Sequence, residues 1–220
     1  MILFILAAGS GIFAQTGIIR ELSGTVELKN AGSLSFIPAQ KGDTLSQDTI
    51  ISTGFKSTAL IELGSAIITV RPLTRLTLTQ IQTSQGNETI NVNLQAGRVR
   101  VDVSPPAGTR TAMSVSSPIA TASVRGTGFD FDTRTVKVNH GTVSFKGNKG
   151  MGLLVNSGSS SRVEENGKAA DPIQMRMAGL QPPAPVGTDS TSSAAGGSTA
   201  KSNGVITINI RYDSINNSEN

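Results

Sequence analysis

The chain has 220 residues, 37% of them hydrophobic but only 4% aromatic, with 24 Gly, no Trp and a formal net charge of +4. That is enough chain for one domain of ordinary size built on Val, Ile and Leu, and so mild a positive charge gives loose attraction to anionic surfaces without dictating a fold. The absence of Cys excludes disulfides, a thiolate metal site, a cysteine nucleophile and a lipidated cysteine, and the single histidine, His140, excludes a two-histidine metal motif.

Residues 1–15, MILFILAAGSGIFAQ, read as the apolar core and small-residue cleavage region of a secretory signal peptide, cut after Ala14, although the basic leading region is missing. The alternative is a buried first strand. The run is far shorter than the ~20 residues a membrane-spanning helix needs, and no other segment of the sequence qualifies. The expectation is a periplasmic or secreted protein without a permanent membrane anchor.

Residues 16–172 read as short strands broken by turns. Val26 and Leu28 alternate with Thr25, Glu27 and Lys29, and a turn follows at Lys41-Gly42-Asp43. Two strands flank Gly64, and another begins near Leu73 with Leu76 and Leu78 opposed to Arg75, Thr77 and Thr79. Ile90, Val92 and Leu94, then Val99, Val101 and Val103, point inward, with Arg98, Arg100 and Asp102 outward. Pro105-Pro106-Ala107-Gly108 breaks the pattern. Asn139-His140-Gly141 and Glu165-Asn166-Gly167 read as tight turns that want positive φ, the first of them in a hairpin. Strands this short and regular predict an all-β fold, stacked as a compact β-solenoid or sandwich.

From Ala170 the composition changes. Residues 173–204 are rich in Pro, Ser, Thr and Gly and read as a flexible linker. Residues 205–212 end the pattern with one amphipathic strand, Ile206, Ile208, Ile210 and Tyr212 on one face and Thr207, Asn209 and Arg211 on the other. Such a strand calls for an edge to pair with, the domain's own by preference or a partner's otherwise.

The stretch SVRGTGFDFD, residues 123–132, departs most from plain alternation. It is no phosphate-binding loop, since no lysine follows its glycines, and one G-x-G is a weak dinucleotide signal. As architecture, Gly126 and Gly128 permit a bulge or close backbone approach. Arg125 is then expected to pin the kink through its planar fork, while Phe129 and Phe131 enter the core.

Asp130 and Asp132 share a strand face, where a calcium site or a glycosidase pair is the sharper reading and a half-buried surface strand the plainer one. His140 reads as an exposed turn residue rather than a general base. Asp43 and Asp48 are expected to accept backbone N–H bonds in turns. No nucleophile elbow or S-x-x-K pair occurs. The basic residues Arg98, Arg100, Arg134 and Lys137 are candidates for a face that holds an anionic envelope polymer or an acidic protein. With so few stacking aromatics and an exported chain, nucleic acid is not the expected partner. No metal or cofactor site is read.

Two pieces carry a family resemblance. One is the P-x-A-x-x-x-V-R-G-T-x-F core, here Pro118, Ala120, Val124, Arg125, Gly126, Thr127 and Phe129. The other is Gly42, Asp43, Leu45, Asp48, Ile50 and Thr53. Together with the strand order over residues 20–170 they resemble the FecR domain, a periplasmic module of iron-uptake signalling regulators and of many stand-alone exported proteins. One departure is Leu63-Gly64-Ser65, where family members often carry an acidic residue before Gly-Ser. The signalling regulators also carry a cytoplasmic anti-sigma region and a membrane helix ahead of the domain, which this sequence does not show. The resemblance therefore implies fold, compartment and a binding role. The expectation is a non-enzymatic binding or scaffold module of the cell envelope that engages a protein or a wall polymer. The alternative is a sensor or regulator acting through a separate membrane or anti-sigma partner, and an envelope hydrolase using Asp130 or Asp132 comes last.

Overall fold

The computed structural model describes residues 13–176 apart from residues 15 and 174. The expected signal-peptide core, most of the linker at 173–204 and the strand at 205–212 lie outside the described residues. In chain order the strands are β1 (Phe13–Ala14), β2 (Gly17–Ser23), β3 (Val26–Lys29), β4 (Ile37–Pro38), β5 (Thr44–Leu45) and β6 (Ile50–Thr53). Next come β7 (Thr58–Leu63), β8 (Ala66–Val70), β9 (Arg75–Ser84), β10 (Asn87–Ala96), β11 (Arg98–Val103) and β12 (Arg110–Ser116). The series closes with β13 (Ala120–Val124), β14 (Gly128–Asp132), β15 (Thr135–His140), β16 (Thr142–Gly147), β17 (Leu153–Asn156) and β18 (Ser160–Arg162).

The fold is all-β, as expected, with two sheets that do not close into a barrel. The first sheet runs β17-β16-β13-β12-β10-β9-β6-β3-β4, with β1 added against β9. The second runs β18-β15-β14-β11-β8-β7-β2-β5. From β7 onward the chain lays one or two strands in one sheet, then one or two in the other, so both sheets grow in the same direction along the sequence. Most neighbours are antiparallel, and β10 and β12 pair in parallel because β11 lies between them in sequence but in the other sheet.

Alternation explains the burial. Every second residue of β7, β8, β10 and β11 is buried, including Ile61, Ile68, Val92 and Val101, because side chains at i and i+2 share a face. Phe131 of one sheet meets Phe145 of the other edge-on, with ring centroids 6.3 Å apart, a geometry aromatic pairs favour. In β9 the alternation slips. Leu78 pairs with Val92 and Gln80 with Asn91, which leaves Thr79 as an extra residue. This bulge lets Leu78 and Ile81, three apart, both enter the core.

One expectation is corrected by the topology. β15 and β16 lie in different sheets, so Asn139-His140-Gly141 is a crossing and not a hairpin. His140 ends β15, exposed, across from Gly128. The stretch from Arg125 to Thr127 likewise carries the chain from β13 in the first sheet to β14 in the second. Among the described residues no helix is long and apolar enough to cross a membrane.

Candidate functional site

Buried hydroxyls at the crossings set the outer face of the second sheet. Thr53 donates its Oγ1 hydrogen to the Arg71 carbonyl at 2.6 Å and accepts the Thr74 N–H at 3.0 Å. Thr74 in turn accepts the Arg98 N–H at 3.0 Å and lies 3.1 Å from the Arg98 carbonyl. Both threonines are buried, so each bond satisfies a backbone group that water cannot reach. Between β10 and β11 the chain crosses on Gly97 alone, at φ 88°, and a Cβ there would lie 2.3 Å from the Thr74 hydroxyl. Only glycine meets both demands. Arg71 and Arg98 are thereby fixed side by side, the Arg71 N–H bonded to the Arg98 carbonyl at 3.1 Å.

Register then brings opposite charges together. Arg98 lies across from Asp132 and Arg100 across from Asp130, and Asp130 lies across from Lys137. Arg71 reaches Asp130 at 3.8 Å, Arg98 reaches Asp132 at 3.7 Å, and Arg100 pairs with Asp102 along its own strand at 3.4 Å. Asp132 Oδ1 accepts the N–H groups of Arg134 and Thr135 at 2.8 and 2.6 Å, and Asp130 Oδ2 accepts the Asn139 amide at 3.0 Å. A groove of about 770 Å³ opens here, lined among others by Arg71, Leu73, Arg98, Asp130, Asp132 and Lys137.

The expected basic face is therefore a ladder of both signs. Arg98, Arg100 and Lys137 share it, but carboxylates stand beside them because strand pairing places Asp130 and Asp132 between β11 and β15. Arg134 lies in the turn after β14 instead, exposed. Asp130 and Asp132 act as rungs and turn acceptors, bound to arginines, an amide and backbone. What the groove has in surplus is N–H donors.

The remaining candidates have structural places. Pro118 sits exposed in the turn between β12 and β13, and Val124 and Phe129 are in the core. Gly126 adopts φ 97°, where glycine is at ease. Gly128 lies under the His140 ring, which leaves no room for a Cβ. Arg125 is exposed and makes no hydrogen bond or ion pair among the described residues, so it does not pin the kink. Thr127 does. It is 2% exposed and donates its Oγ1 hydrogen to the Thr142 carbonyl at 3.1 Å, while its own carbonyl accepts the Val103 N–H. Asp43 accepts the Gln40 N–H at 2.7 Å. Asp48 makes no side-chain hydrogen bond among the described residues. It takes up φ 63° instead, a conformation Asp tolerates better than most residues.

Three features escape a reading by alternation. Arg71 and Leu73 fall in a turn, and Leu73 is a large apolar residue outside any strand, which is itself the signal. Glu88 is buried between the sheets and accepts from the Ser65 N–H at 3.0 Å, the Ser65 hydroxyl at 2.6 Å and the Thr111 hydroxyl at 3.1 Å. Its carboxylate occupies the space a Cβ on Gly64 would need, so the Gly64-Ser65 pair serves Glu88.

Residues 49–144 match the family model described as FecR protein. Two crystal structures of a "putative anti-sigma factor" from Parabacteroides distasonis are similar at 16% identity. One is covered over 62% of its length by 58% of this chain, with a TM-score of 0.46. The other is covered over 64% by 60% of this chain, with a TM-score of 0.45. This chain thus spans less than two thirds of either. No curated protein matches the sequence.

Proposed function

We propose, from the premise that residues 49–144 carry a FecR domain, that this chain is a signalling regulator that works by contact rather than catalysis, through a separate membrane or anti-sigma partner. The family match is the observation that carries this reading. The groove supports it, since Asp130 and Asp132 are engaged by arginines, backbone and an amide, and the two arginines keep N–H donors with which to bind an anion. The apolar leader in the sequence supports a place outside the cytoplasm. A second reading, an envelope scaffold that holds a wall polymer, draws on the same cationic donors.

Deleting the gene and sequencing the transcripts tests the first reading. A small set of genes should change and return when the gene is restored. An unchanged transcript profile, with retention of the purified protein on wall polymer, would turn the conclusion to the scaffold.

A further inference from the structure

We propose that the groove on the second sheet, with Leu73 and Phe55 beside it, is the docking site for an extended acidic segment of a partner protein that carries apolar side chains between its carboxylates. This deepens the contact-regulator reading and rests on it.

The apolar part comes from two adjacent turns. The Leu73 N–H donates to the Gly54 carbonyl at 3.2 Å, so the turn after β8 lies against the turn after β6. Leu73 is 62% exposed and Phe55 is 73% exposed. Leu73 also sits at φ 55°, in the left-handed region where a bulky residue is strained and glycine is not. Folding alone would favour glycine at this position. A strained residue holding a large apolar side chain out in water marks a contact surface.

The charged part comes from cations that have ion pairs at most and no hydrogen-bonded acceptor among the described residues. Arg71 and Arg98 each hold a carboxylate at 3.8 and 3.7 Å, well beyond the roughly 2.7–2.9 Å of a charge-assisted hydrogen bond. Neither guanidinium makes a hydrogen bond among the described residues, and Lys137 has no ion-pair partner there. One oxygen of each carboxylate is taken, Asp132 Oδ1 by two backbone N–H groups and Asp130 Oδ2 by Asn139, and the other faces its arginine from beyond hydrogen-bond reach. An arriving carboxylate meets two planar forks and an ammonium ready to bond it. An anionic glycan would satisfy the same cations but has no apolar side chain for Leu73 and Phe55. The apolar knobs therefore favour a protein.

The test is fluorescence anisotropy of the full chain with a dye-labelled Glu-Leu-Glu-Leu-Glu-Leu peptide, with polygalacturonate as competitor. Saturable binding is expected, weakened about tenfold or more by Arg71→Ala with Arg98→Ala. It should also weaken between about 50 and about 500 mM salt, as screening shortens the reach of the charges. Leu73→Gly should lose binding to a similar degree while its melting temperature holds or rises, because glycine relieves the strain. Absence of peptide binding, or wild-type binding by Leu73→Gly, overturns the proposal, and displacement by polygalacturonate at equal charge reassigns the groove to a polymer. In the deletion strain, a Leu73→Gly chain that restores the transcripts fully would sink this docking site and leave the regulator standing. Peptide binding without any transcript change would do the reverse.

Discussion

Thr127 and Arg125 stand two residues apart in the same crossing, and their side chains have opposite consequences for it. The buried Thr127 hydroxyl bonds the Thr142 carbonyl at 3.1 Å, so it ties the crossing from β13 to β14 against the start of β16. Replacing it by Val keeps the shape and removes this bond, at a cost of about 1 kcal/mol. Arg125 is exposed and unpaired among the described residues, so Arg125→Ala should change stability by less than about 0.5 kcal/mol. Urea denaturation of both variants checks the pair, and a larger loss for Arg125→Ala than for Thr127→Val would refute the assignment. The departure of this stretch from plain alternation is legible in the sequence, and Phe129 and Phe131 are buried. The anchor is not legible there, because a threonine among so many gives no sign that it is 2% exposed.

The strands were legible because burial on one face writes itself into alternate positions. Where the chain changes sheet, no such rule applies. Asn139-His140-Gly141 has the composition of a hairpin turn, yet it joins two sheets, because a glycine at φ 81° serves a crossing as well as a turn. Bulges are equally silent. In β2 the extra residue is Arg20, which stands between Ile19 and Glu21 opposite consecutive residues of β7. Its guanidinium binds Glu62 of β7 with two bonds, at 2.5 and 2.8 Å. The hydrogen bond from Arg20, with its charge, holds the Glu62 carboxyl below the usual carboxylate range, and Glu62 raises Arg20 in return. The Arg20 shift lies far above any working pH and leaves stability there unchanged. Glu62 has its folded value depressed, so its contribution is complete above the unfolded carboxylate value, about 4.3, and fades as pH falls through the folded one. Both groups face solvent, so the effect is small and screened by salt. Urea midpoints of the wild type and Glu62→Gln should differ at neutral pH and converge in acid. A gap that persists at the acid end would mean the glutamate acts through packing and not charge.

At the scale of the molecule, the order of strands within each sheet follows the order of the chain closely enough that most strands touch only near neighbours in sequence. β9 and β10, β7 and β8, and β14 and β15 are pairs of this kind. Stability in such an arrangement is roughly a sum of local units and the interfaces between them, so it need not be uniform. The middle, β8 to β14, has neighbours on both sides in both sheets. The ends do not: β4 and β5 are two residues each and β18 is three, while β17 leaves one edge uncovered among the described residues and carries an exposed Leu154. The amides of Val99, Val101, Val92 and Val115 should therefore exchange with solvent most slowly, near the global unfolding rate. Those of β4, β5 and β17 should exchange through local opening at lower cost. Phe145→Ala tests how far the units are coupled, since it opens a cavity at the C-terminal end of the core and should cost about 3–5 kcal/mol there. If neighbours alone communicate, protection should fall in β13 to β17 and persist in β7 to β9. Equal loss at every amide would show instead that the two sheets unfold as one unit, and that the groove on β11, β14 and β15 is as rigid as the core beneath it.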